Sequence, residues 1–93
     1  MVLKGAGTLI GTAGEVPRLC DHGNPGMAAP GMGDVLTGAV AGFLAQSTRT
    51  FEATAAAVYA HAVAGDRCAR AGLRGILALD VAQELRAVLA QLP

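Results

Sequence analysis

Gly31, Met32, Gly33 and Asp34 stand directly before the apolar run Val35-Leu36-Thr37-Gly38, so two glycines and an acid fall where a loop gives way to a helix. Glycines let backbone N–H groups crowd an anion, and the unpaired donors at a helix N-terminus favour negative charge. A carboxylate at the same place can take a proton from a substrate hydroxyl, which makes phosphoryl transfer the chemistry this spacing fits. The plainer reading of Asp34 is a helix cap, a role aspartate fills well, and a lone Gly-x-Gly-Asp does not separate the two.

The elements that must hold this turn can be read on either side of it. Val2-Leu3 leads into Lys4-Gly5-Ala6-Gly7-Thr8 and reads as the end of a buried strand spilling into a glycine loop. Residues 9–12 and 16–20 read as two strands joined across Ala13-Gly14-Glu15, with Gly14 supplying the hairpin turn. A long glycine- and proline-rich loop follows over 21–33. The first helix is expected over 34–46, with Leu36, Val40, Phe43 and Leu44 facing a core and Gly38 and Gly42 requiring a close neighbouring backbone. Thr50 is the expected N-cap of a second helix over 51–71, with Phe51, Ala55, Val58, Tyr59, Ala62 and Val63 as its stripe. Asp80 with Gln83 is expected to open a last helix whose stripe is Val81, Leu85, Val88 and Leu92. A strand, a hairpin, a glycine-rich loop and three helices make the fold class α/β. One hairpin cannot flank a buried strand on both sides, so the chain reads as the end of a larger α/β domain.

Composition narrows the field. Ninety-three residues hold one small core, and Phe43, Phe51 and Tyr59 are the only aromatic residues in it. Seven basic and seven acidic residues balance and form no dense block, which argues against nucleic-acid binding. The longest apolar stretch, 35–45, is too short and too interrupted for a membrane helix, and no signal peptide opens the chain. Cys20 and Cys68 are too few for a zinc site or a disulfide framework and read as reduced, in a cytoplasmic protein. Cys20-Asp21-His22 lacks a distant fourth ligand, so no resident metal site is expected.

Four segments then occur in order: Lys4-Gly5-Ala6-Gly7-Thr8, Gly23-Asn24-Pro25-Gly26-Met27-Ala28, Gly31-Met32-Gly33-Asp34-Val35-Leu36-Thr37-Gly38, and His61-Ala62-Val63-Ala64-Gly65-Asp66. In these the chain resembles the C-terminal part of the ADP/ATP-dependent NAD(P)H-hydrate dehydratases, members of the ribokinase-like superfamily. The resemblance implies a portion of a three-layer α/β/α domain over 1–93, with the first two thirds of that domain lacking. It implies repair of hydrated NADH or NADPH: ADP or ATP, carrying Mg²⁺, phosphorylates the hydrate's hydroxyl, and phosphate then leaves. Carried over, nucleotide binding falls on Lys4, Gly5, Ala6, Gly7, Thr8 and Gly33. The anion hole falls on Gly31, Met32 and Gly33, and the catalytic base that also binds the hydrate on Asp34.

The residues themselves allow plainer roles. Lys4 can be a strand-end lysine facing solvent, and Asn24 a turn residue before Pro25 as well as an amide lining the pocket. His61 and Asp66, five apart on a helix, need not face each other and read as structural. Two departures stand out. Ala29-Pro30 replaces a threonine or glycine frequent in the family, and Leu79 replaces a serine, removing one helix cap. The alternatives are a ribokinase-like small-molecule kinase, which would keep its phosphorylated product, and a noncatalytic remnant that self-associates through an uncovered strand. Lacking the rest of the pocket, the chain is expected to be inactive alone.

Overall fold

A computed structural model describes residues 1–4 and 7–91. Three short strands form an antiparallel sheet in the order β1 (Val2–Leu3), β2 (Thr8–Ile10), β3 (Arg18–Cys20). The hairpin of β2 and β3 pairs Leu9 with Leu19, and Gly14 supplies a positive φ of 83° in the connecting loop. β1 lies antiparallel to β2, and the Met1 carbonyl accepts from the Gly11 N–H to extend the pairing. The expected buried strand is instead an edge: Val2 is half-buried and Leu3 exposed, because among the described residues β1 has a neighbour on one side only.

Three helices follow, α1 (Met32–Ala45), α2 (Thr50–Ala69) and α3 (Ala78–Ala90). α2 is the central element. Its alanines at 53, 57, 60, 62 and 64 are all buried, and their small side chains let α1 and α3 pack closely on either side. One core joins Met32, Ala60, Ala64, Ile76, Val81 and Val88 between the helices. A second joins Ile10, Cys20, Leu36, Val58 and Ala62 between sheet and helices. The sheet is tied to α2 at its rim by a two-pronged ion pair, Arg18 donating to both Glu52 oxygens at 2.8 and 3.2 Å, with the guanidinium 5.0 Å above the Phe51 ring.

Several boundaries differ from expectation. α1 begins at Met32, two residues early, because Gly31 takes φ 87° and starts the helix itself. Thr50 lies inside α2 and Arg49 is its cap position, with the Ser47 hydroxyl accepting from the Arg49 N–H. Asp80 is not the cap of α3 but its third residue: the carboxylate reaches back to the Leu77 N–H at 2.9 Å, and Leu77 occupies the cap position. The loss of a cap attributed to Leu79 therefore does not arise at that position. Tyr59 is exposed and stands edge-on to His22 rather than in the core stripe of α2. Gly38 and Gly42 meet no close backbone among the described residues, and both lie on the open face of α1. Leu92 lies outside the described residues. No described helix is long and apolar enough to cross a membrane.

Candidate active site

The loop before α1 is held by α2 through two residues of the fourth segment. Asp66 accepts from the Gly23 N–H at 3.0 Å and from the Asn24 side-chain amide at 2.9 Å. Gly65 leaves the space that Met27 fills, since a Cβ there would overlap the Met27 sulfur. Between these anchors Asn24 opens a single 3-10 turn over Pro25–Met27, its carbonyl accepting from the Met27 N–H at 3.1 Å. Asn24 thus fills the turn role and presents its amide to Asp66. Gly26 makes the close approach in this loop, a Cβ there falling 2.6 Å from the Leu73 carbonyl.

The loop ends at Gly31, whose backbone is left-handed with φ 87°. The Met32 N–H closes a long turn bond to the Ala29 carbonyl at 3.3 Å, and the Val35 N–H bonds the Gly31 carbonyl at 3.0 Å. The N–H groups of Gly33 and Asp34, on the exposed start of α1, have no backbone partner among the described residues. Nothing lies within 4 Å of a Cβ built on Gly33, so that side of the turn is open space. The Asp34 carboxylate stands exposed in the same first turn, with no hydrogen bond among the described residues. The expected anion-hole role of Met32 does not hold, since its N–H is taken by the Ala29 carbonyl and its side chain is buried in the helical core.

Lys4, Thr8 and Asn24 line a separate cavity of about 580 Å³, walled also by Leu36, Val58 and His61. Gly31, Met32, Gly33 and Asp34 are not part of that wall. Gly7 packs beside Leu19, and Gly5 and Ala6 lie outside the described residues. The predicted residues therefore fall into two groups: a cavity with a cation at its rim, and a turn of bare amides with a carboxylate. α1 links them, since it carries both the turn and Leu36.

His61 is the residue that reading by sequence undervalued. It is 3% exposed, its Nε2 has no partner, and it lies in the cavity wall. Burial pushes its pKa below the ordinary 6.5, and the nearby Lys4 charge pushes the same way; the Met32 backbone carbonyl opposes them. The ring is neutral at pH 7. The i, i+4 spacing of His61 and Gly65 was the available signal, because it puts both on the helix face that meets the loop.

Comparison with known proteins gives the family. The bifunctional NAD(P)H-hydrate repair enzyme Nnr of Coxiella burnetii is 46% identical over 87 residues, covering 92% of this chain and 18% of that protein. Its counterpart in Vibrio cholerae is 46% identical over 90 residues, covering 96% of this chain and again 18% of the relative. The ADP-dependent (S)-NAD(P)H-hydrate dehydratase of Enterococcus faecalis is 51% identical over 70 residues, covering 75% of this chain and 24% of that enzyme. The chain thus spans about a fifth of the length of these relatives. A family model described as NAD(P)H-hydrate dehydratase matches residues 1–87, taking in the loop, the turn and all four sequence segments. With that match spanning nearly the whole sequence, the chain belongs to the NAD(P)H-hydrate dehydratase family.

Proposed function

We propose that this chain is the nucleotide-binding and catalytic segment of an ATP- or ADP-dependent NAD(P)H-hydrate dehydratase, placed at the C-terminal end of that domain and acting in the cytoplasm. The observation that carries the reading is the first turn of α1, where two unpaired amides and an exposed carboxylate share one end of a helix. The amides of Gly33 and Asp34 meet the charge on the migrating phosphoryl group. One such preorganised donor is worth about 10²–10³ in rate. Asp34 takes the proton of the hydrate hydroxyl as its oxygen attacks phosphorus and the bond to the nucleotide breaks. Phosphate then leaves with the electron pair of the C–O bond while the neighbouring carbon gives up a proton to water, so that the ring double bond forms and the reduced nicotinamide is restored. Lys4, at the rim of the cavity with Thr8, meets the nucleotide as a point charge.

Among the described residues no group of three metal-ligating side chains occurs. Magnesium fits as an ion travelling on the nucleotide phosphates, whose charge it neutralises. The relative named as ADP-dependent supports a nucleotide as co-substrate. These 93 residues span about a fifth of the relatives' length, and by themselves they are expected to bind nucleotide without turnover. Purified chain incubated with ADP or ATP and hydrated NADPH tests this; restoration of NADPH by the 93 residues alone would contradict it.

A second reading, self-association, is favoured by one observation. Leu3, Leu9 and Leu19 form a cross-strand row on the outer face of the sheet, 59%, 44% and 64% exposed, with no described element over it. Light scattering after size exclusion separates a monomer from a pair.

A further inference from the structure

The first turn of α1 and the cavity beside β2 have His61 in common. The Met32 carbonyl faces its ring, and the ring's Nε2 is buried without a partner in the cavity wall. A buried polar atom left unpaired costs stability, and native proteins keep such atoms where a ligand or water completes them. A neutral imidazole carries one proton, and in the tautomer with that proton on Nδ1 the Nε2 atom presents a lone pair and accepts. An ionised phosphate oxygen cannot satisfy it, since it is itself an acceptor. Lys4 sits at the same cavity and supplies the charge a phosphate would need.

We propose that His61 is a positioning residue: its Nε2 accepts a hydrogen bond from a hydroxyl or amino group of the nucleotide seated in the Lys4 cavity. The same ring abuts Met32, so a nucleotide held at Nε2 is registered against the amide turn that receives its phosphates. The inference rests on the nucleotide reading above and adds to it the group that fixes the non-phosphate end.

The test uses the full chain labelled with ¹⁵N at histidine. At pH 7 ADP is titrated in one arm and inorganic sulfate, a fully ionised anion with no proton to donate, in another. The expected result is that ADP moves the Nε2 resonance of His61 while sulfate does not. His61→Phe should weaken ADP about tenfold and leave sulfate affinity as it was. His61→Gln, which retains an acceptor on its side chain, should recover most of the loss. ADP binding with an unmoved Nε2 resonance, or equal ADP affinity in His61→Phe, would overturn the inference and leave the nucleotide reading standing. Failure of the parent chain to bind ADP would remove the nucleotide reading, and this inference with it.

Discussion

At the scale of single residues, a neutral imidazole buried beside a lysine has a consequence for stability. His61 titrates below 6.5 in the folded chain and near 6.5 when unfolded, so the unfolded state binds more protons as the pH drops beneath that value. Its contribution is complete above about pH 6.5 and is lost progressively as the pH falls toward the lowered folded value. Urea midpoints should therefore decline from pH 7 to pH 5, and His61→Gln should show a shallower decline; parallel slopes would show that the ring does not titrate this way. Asp66 offers a second residue-scale test. It accepts from both Gly23 and Asn24, so Asp66→Ala strands two donors and should cost about 1–3 kcal/mol in urea unfolding. A loss under about 0.5 kcal/mol, the scale of an ordinary surface change, would mean the loop is held by other contacts.

Among the elements, glycines separate into those the fold needs and those it leaves open. Gly26 lies against the Leu73 carbonyl, so Gly26→Ala must push the loop off its seat and should destabilise by about 1–3 kcal/mol. Gly38 and Gly42 face open space inside α1, and alanine at either should stabilise the isolated chain by about 0.5–1 kcal/mol. Thermal unfolding of the three variants reads both signs. This contrast also shows where sequence reading ran short. Apolar periodicity placed all three helices and the hairpin, and its stripe residues Leu36, Val58, Val81 and Val88 are buried. Cap positions were misread at Thr50 and Asp80, since serine, threonine and aspartate serve equally well one turn inside a helix. The glycine pair was misread because low propensity signals a close neighbour only when that neighbour is present. Of the candidate site, the bare turn before Val35 was legible from its glycines. The place of His61 was not, because burial within an alanine-rich helix depends on what packs across it.

At the scale of the whole molecule, one sheet face lies against α2 and the other has no covering element among the described residues. The leucine row across β1, β2 and β3 has Leu9 at its centre, paired to both neighbours. Leu9→Lys should leave the helical circular dichroism unchanged and reduce association by light scattering, since its side chain is exposed and a charge there disfavours sheet-face pairing. A parent chain that is already monomeric at high concentration would set self-association aside. The central claim concerns catalysis, and it can be measured by exchanging the matching segment of the Coxiella burnetii repair enzyme for residues 1–87 of this chain and assaying NADPH restoration from its hydrate. The exchanged enzyme should be active, and Asp34→Asn within it should lower turnover by about 10²–10⁴ while nucleotide still binds. Turnover unchanged by that substitution would contradict the account.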